Sequence, residues 1–182
     1  MLRHGQTVAN QQNVAAGSSN SPLTEKGIAQ ARSAEEIIYN IRDKIDYIVH
    51  SQLSRAKDTA KIVNQRCLYQ MYENKLLAEQ CFGDWMGMAW KDMRSLMAKG
   101  HNPPNGESLN TFYDRAMKGI LEALDLQKGT PLIVTHGGVF DALLDRYGLE
   151  NIDVENCAIY EILISESDIN SECEIDLVAL SD

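Results

Sequence analysis

Short apolar segments alternate along this chain with longer segments of helical periodicity, and this alternation restricts the possible folds more than any other feature. The segments "DYIVHS" and "TPLIVTHGG" are short, β-branched and typical of strands. Helical patterns occupy stretches between them, as in "LSRAKDTAKIVNQ" and "LNTFYDRAMKGILEALD". A terminal strand pair is predicted in "CAIYEILI" and "EIDLVAL", and another short strand in "NKLLAE". Strands that alternate with helices predict an α/β fold with helices on both faces of the sheet.

The length of the chain, 182 residues, is that of one domain with a substantial core. We therefore expect a single domain over residues 1–182, without repeats. Residues 81–106 interrupt the pattern, because their periodicity is weak and they contain several glycines and the rigid turn "NPPNGE". One short helix is expected there, from Trp90 to Ala98. So long an excursion in a compact domain predicts a lid or a substrate wall.

Composition and charge exclude several classes of protein. A formal net charge of -9 argues against general binding to nucleic acids and to anionic membrane surfaces. No secretory leader is seen, and no apolar run approaches the ~18 residues of a membrane span. The four cysteines and four histidines are dispersed without metal-ligand spacing. We therefore expect a cytoplasmic protein with reduced thiols and no metal. Only Met1 and Leu2 precede Arg3, which raises the question of a native start upstream of Met1.

Polar residues follow the predicted strands at the ends where ligands bind in α/β proteins. Arg3 and His4 end the first strand, and residues 51–55 follow the second. Glu79 follows the third, and His136 ends "TPLIVTHGG". Because the carboxyl ends of parallel strands meet at one edge of the sheet, two arginines, two histidines and a carboxylate are expected in one crevice. This set suits a phosphoryl group: arginines bind its oxygens, a neutral histidine attacks phosphorus, and a carboxylic acid protonates the leaving oxygen.

Six sequence blocks, in order from residue 2 to residue 143, carry a family resemblance. They are "LRHGQTVAN", "SPLTEKGIAQA", "SQLSRAKDTA", "LLAEQCFGDWMG", "PPNGES" and "IVTHGGVFDAL". Together they resemble the histidine phosphatase superfamily, also called the phosphoglycerate mutase-like family. The resemblance implies a three-layer α/β/α sandwich with a mostly parallel central sheet.

The resemblance also implies a role for each polar residue. His4 would be the nucleophile that becomes phosphohistidine, and Glu79 would protonate the leaving group. The residues that would contact the phosphoryl group or the substrate are Arg3, Asn10, Gly17, Arg55, His136 and Gly137, with His136 counted among the catalytic residues. Two flanking arginines are expected to lower the pKa of His4, because like charges disfavour the imidazolium.

Several alternatives stay open for individual residues. Asp84 or Glu107 could be the acid in place of Glu79. Arg55 could pair with Asp58 on its own helix. Asn10 could serve only a local turn.

The resemblance implies a metal-independent phosphomonoester hydrolase of the histidine acid phosphatase type, without a cofactor. Its substrate would be a small phosphorylated metabolite, no nucleic acid or membrane would be a partner, and a homodimer is left open. The alternatives are a phosphoglycerate mutase and a non-catalytic phosphate-binding scaffold. Family mutases typically have longer chains and a serine before the glycine that corresponds to Gly17. This chain has Ala16 there, so the missing hydroxyl favours water as the phosphoryl acceptor.

Overall fold

Strands and helices alternate along the chain in the computed structural model, which describes residues 1–150, 152–164 and 175–180. The strands are β1 (Leu2–Arg3), β2 (Tyr47–His50), β3 (Met71–Glu73), β4 (Pro131–Thr135), β5 (Tyr160–Ile164) and β6 (Ile175–Ala179). The helices are α1 (Val8–Gln11), α2 (Glu25–Asn40), α3 (Ser54–Val63), α4 (Trp90–Ala98), α5 (Leu109–Asp125) and α6 (Gly137–Arg146).

The central sheet has four strands in the order β1-β4-β2-β3, and every pair in it is parallel. Arg3 at the end of β1 is opposite Thr135 at the end of β4, and His50 at the end of β2 is opposite Val134. The carboxyl ends of these three strands therefore lie side by side. The predicted terminal pair is also present, because β5 and β6 are antiparallel partners.

Helices cover both faces of this sheet. Ile48 and Val49 are neighbours on β2 and point to opposite faces, as alternate strand residues do. Ile48 packs in a cluster with residues of α2 and α3, including Ile38 and Ala60. Val49 belongs to a second cluster with residues of α5 and α6, including Phe112. This arrangement confirms the predicted three-layer α/β/α sandwich.

Local sequence signals explain where the longer helices begin. The Thr24 hydroxyl accepts a hydrogen bond from the Gly27 amide, and Ser108 caps α5 in the same way through Thr111. No helix among the described residues is long and apolar enough to cross a membrane.

The prediction of a strand in "NKLLAE" is wrong. The third strand is Met71–Glu73, and Lys75–Leu77 forms a 3-10 turn after it. Asn74 causes this change, because its side-chain oxygen accepts a hydrogen bond from the Leu76 amide at 2.8 Å and so turns the backbone.

The excursion of residues 81–106 contains α4, as predicted from Trp90 to Ala98. It has its own apolar cluster of Phe82, Trp85 and Met93, which packs on Ala15 from the loop after α1. Its role as a lid stays a prediction.

Candidate active site

His4 lies directly after β1, and its side chain is held in one tautomer. Its ring is 3% exposed, and Nδ1 is 2.8 Å from the Gly5 carbonyl oxygen. Because a carbonyl can only accept, Nδ1 carries the hydrogen in the neutral ring. The lone pair of His4 is therefore on Nε2, the nitrogen that faces Arg55.

Arg55 lies in the first turn of α3 and is 2% exposed. Its Nε group is 3.2 Å from His4 Nε2 and 3.2 Å from Nδ1 of His136. Its two terminal nitrogens donate to the carbonyls of Gly17 and Ser19, each at 2.8 Å. The alternative pairing with Asp58 does not occur, since Asp58 pairs with Lys61.

His136 ends β4 as the residue before α6 and is fully buried. Its ring centroid is 5.2 Å from that of His4. Nδ1 faces Arg55, and Nε2 is 2.8 Å from the Ser51 hydroxyl at the end of β2. The parallel sheet thus brings the ends of β1, β2 and β4 together around one guanidinium group.

Arg3 approaches the same place from β1. One of its terminal nitrogens donates to the Val154 carbonyl. Its buried Nε has no hydrogen-bond partner among the residues that the structure describes. A Cβ atom at Gly137 would be 3.6 Å from this Nε, so the guanidinium lies against the start of α6. A buried donor without a partner costs free energy, and an anion would satisfy it.

Glu79 is the carboxylate that the structure brings to this site. Its Oε2 is 3.4 Å from the Gly138 amide at the start of α6, where a negative charge is favoured. A Cβ atom at position 138 would collide with Oε1, so a larger residue there would push the Glu79 carboxylate aside.

The two alternative acids are engaged elsewhere. Glu107 forms an ion pair with Arg115 at 2.7 Å and accepts a hydrogen bond from the Cys81 amide. Asp84 accepts a hydrogen bond from exposed Asn105. Glu107 therefore holds Cys81, where the excursion of residues 81–106 begins, and Asp84 holds Asn105 in the turn "NPPNGE".

Gly17 contacts Arg55 directly, whereas the contacts of Asn10 are local to α1 and to Asn156. Gly17 has a φ of 52°, and a Cβ atom there would be 2.9 Å from the Phe82 ring. This conformation turns its carbonyl towards Arg55. The Asn10 side-chain oxygen accepts a hydrogen bond from the Thr7 amide, which caps α1, and is 3.5 Å from Nδ2 of Asn156.

Burial and the arginines lower the pKa of both histidines. For His4 the largest cause is burial, the second is Arg55, and Arg3 contributes in the same direction. For His136 burial is again the largest cause, followed by Arg55. The direction expected for His4 from its arginine neighbours is correct, but burial outweighs them. Both rings are therefore neutral at pH 7, and each can offer a lone pair.

Three contributors to the site were given no role from the sequence. Ser51 stands inside the block that contains Arg55, and its position at a strand end was the available signal. Asn156 donates to the His4 carbonyl at 2.9 Å, and Val154 accepts from Arg3. No pattern in the sequence indicates this loop, because it lies some 150 residues from the strand that it contacts.

Among the described residues, no group of three or more histidines, cysteines and carboxylates is arranged to hold a metal ion. The positive charge of the site comes from Arg3 and Arg55. A tetrahedral anion with several acceptor oxygens fits these converging donors.

Comparison with known proteins gives a consistent result. The family model described as "Histidine phosphatase superfamily (branch 1)" matches residues 1–173. The chain is 29% identical over 157 residues to the adenosylcobalamin/alpha-ribazole phosphatase of Escherichia coli, covering 80% of this chain and 76% of that protein. It is 30% identical to a Salmonella choleraesuis protein named "Probable phosphoglycerate mutase GpmB", covering 92% and 85%. Among solved structures, the alpha-ribazole phosphatase of Shigella flexneri matches with a TM-score of 0.80 at 28% identity, covering 91% and 89%.

Proposed function

The chain belongs to the histidine phosphatase superfamily, and from this premise we propose that it hydrolyses phosphomonoesters through a phosphohistidine on His4. The observation that carries the proposal is the tautomer of His4. Its Nδ1 hydrogen is committed to the Gly5 carbonyl, so the Nε2 lone pair faces the guanidinium of Arg55. A neutral imidazole held in this way is an activated nucleophile.

The arginines would bind the phosphoryl group of the substrate. The Nε of Arg3, which has no partner among the described residues, and the Nε of Arg55, which would turn its hydrogen from the two histidines, would donate to its oxygens. Because the remaining contacts of Arg55 go to backbone carbonyls, its guanidinium is held in place before the substrate arrives. Two fixed positive charges also make the reaction independent of a metal in this proposal.

The reaction would proceed in two transfers. His4 Nε2 attacks phosphorus in line, the bond to the leaving oxygen breaks, and that oxygen takes the Glu79 proton. Water then attacks the phosphohistidine and gives a proton to the Glu79 carboxylate, and the nitrogen–phosphorus bond breaks. His4 returns to its neutral state, and inorganic phosphate is released.

The alternative is a phosphoglycerate mutase, and the relative named "Probable phosphoglycerate mutase GpmB" supports it. A mutase transfers the phosphoryl group between two hydroxyls and must exclude water from phosphohistidine. Ala16, which has no hydroxyl, precedes Gly17 at the place where the resemblance leads us to expect a serine in mutases. This difference and the phosphatase relatives support hydrolysis. We also propose a small phosphorylated metabolite as substrate and a cytoplasmic location.

The test is phosphate release from p-nitrophenyl phosphate and from a panel of metabolite phosphomonoesters. We expect release by the wild type, none by His4→Ala, and full activity in Gln65→Ala, which removes an exposed side chain just after the last turn of α3. Efficient interconversion of 2- and 3-phosphoglycerate with almost no phosphate release would replace the hydrolase with the mutase. No turnover over a broad pH range would leave a phosphate-binding scaffold.

A further inference from the structure

The two histidines of the site differ in the partner that holds their outer nitrogen. The outer nitrogen of His4, Nδ1, faces a carbonyl oxygen, and that of His136, Nε2, faces the hydroxyl of Ser51. A carbonyl only accepts hydrogen bonds, whereas a hydroxyl donates one and accepts others. His4 is therefore limited to one neutral tautomer, and His136 is not.

The surroundings of Ser51 permit both roles of its hydroxyl. Ser51 and His136 are each fully buried, so bulk water does not compete for their contact. The Leu53 amide donates to the Ser51 oxygen at 3.3 Å. The oxygen retains a second lone pair, which can accept from His136, and its own hydrogen, which can donate to His136.

Where Arg55 contacts His136 directly, it selects one tautomer of His136. Arg55 can only donate, so His136 Nδ1 must offer a lone pair to its Nε group at 3.2 Å. The hydrogen of the neutral ring is then on Nε2 and is donated to Ser51. With the opposite tautomer, two N–H groups would face each other across this distance.

A bound phosphoryl group reverses this preference. Its anionic oxygens accept hydrogen bonds only, so Arg55 Nε–H and a hydrogen on His136 Nδ1 can both point at it. Nε2 of His136 then needs a donor, which Ser51 supplies by rotating its hydroxyl. We propose that Ser51 is a positioning residue that allows His136 to change tautomer when a phosphoryl group binds.

The protons balance in this change. Nδ1 takes a proton from an entering phosphoryl monoanion or from solvent, and Nε2 releases one to water that reaches the buried ring during local opening of the structure. Ser51 keeps its hydrogen. His136 is neutral before and after, and only the transient state is an imidazolium. The proposal rests on the proposed function in so far as a phosphoryl group binds between the two imidazoles.

Nitrogen NMR of the wild-type protein with ¹⁵N-labelled histidine tests the proposal without turnover. Protonated and unprotonated ring nitrogens have well-separated shifts, and through-bond correlation assigns them. Without ligand, we expect the hydrogen of His136 on Nε2. With saturating inorganic phosphate, we expect it on Nδ1, while His4 keeps its hydrogen on Nδ1. If phosphate leaves the hydrogen of His136 on Nε2, converts it to a stable imidazolium or fails to bind, the proposal is wrong.

Variants of Ser51 provide a second test. In Ser51→Ala the bound phosphate should no longer shift His136 fully to the tautomer with its hydrogen on Nδ1, and kcat/KM should fall about 5- to 150-fold. Ser51→Thr, which keeps a hydroxyl, should restore the tautomer change and most of kcat/KM. Ser33→Ala is the matched control, because it removes an exposed hydroxyl on α2 that donates to a helix carbonyl. If phosphate still moves the ring hydrogen of His136 completely from Nε2 to Nδ1 in folded Ser51→Ala, the proposed role of the hydroxyl is wrong. Failure of hydrolysis is distinguishable, because it would appear as absent phosphate release with the tautomer change intact.

Discussion

Replacing Arg55 with lysine keeps the positive charge and removes the geometry of the guanidinium. Arg55 distributes its contacts over three nitrogens: Nε faces the two histidines, and the other two donate to Gly17 and Ser19. The three N–H groups of a lysine diverge from one atom, so they cannot make both carbonyl contacts and also face the phosphoryl group. We therefore expect Arg55→Lys to be severely impaired.

The magnitude follows from losing one preorganised donor in the transition state. Such a loss costs about 2–4 kcal/mol, which corresponds to a fall in kcat/KM of about 30- to 1,000-fold. The carbonyls of Gly17 and Ser19 would also lose donors. Ser19 is exposed, so only the buried Gly17 carbonyl would carry the cost of about 1–3 kcal/mol of the free energy of unfolding for a buried group left unsatisfied.

The assay is steady-state hydrolysis of p-nitrophenyl phosphate, with urea unfolding of the same preparations. Arg66→Lys is the matched control, because Arg66 is an exposed arginine that pairs with Glu36 away from the site, and we expect its kcat/KM to be unchanged. Near-normal kcat/KM in Arg55→Lys would refute the reasoning, since charge alone would then suffice.

Three further predictions concern the acid, a neighbouring carboxyl group and metals. Glu79→Gln should lower kcat/KM far more for alkyl phosphates than for p-nitrophenyl phosphate, whose leaving group needs little protonation; equal losses on both would contradict Glu79 as the acid. Burial, and secondly Glu79, raise the pKa of Asp141 on α6 from 3.8 to about 6, so its carboxylate destabilises the fold increasingly as pH rises through this range. Asp141→Asn should therefore raise the free energy of unfolding by about 1–2 kcal/mol relative to wild type at pH 8, allowing for solvent screening, and by much less at pH 4. Urea unfolding at both pH values checks this, and an increase independent of pH would count against it. Activity should survive EDTA and be inhibited by vanadate, whereas loss on chelation that one added metal restores would oppose the arginine-based mechanism.

Much of the fold could be predicted from the sequence because local signals and periodicity agree there. Ser108 caps the helix predicted in "LNTFYDRAMKGILEALD", and the apolar runs at residues 47–50 and 131–135 form neighbouring strands. The third strand was misplaced because Asn74 turns the backbone through a side-chain contact, which outweighs the apolar character of the residues after it.

The residues at the strand ends were predictable for a topological reason. Parallel strands place their carboxyl ends at one edge, so His4 and His136 had to be close once β1 and β4 were neighbours. Ser51 was placed at this edge within residues 51–55 but was given no role, because a serine at a strand end has many local uses. Val154 contacts Arg3 and Asn156 contacts His4. These contacts depend on how the chain returns to β1, which local sequence does not encode.

The central claim is that the phosphoryl group passes through His4, and rapid acid-free quenching with a labelled phosphomonoester tests it most directly. A nitrogen-linked phosphoryl group survives alkali and is lost in acid, whereas a phosphoserine ester survives acid. We predict transient label on His4 with this stability, and none in His4→Ala. Acid-stable label on Ser18, Ser51 or Ser108 would contradict the account.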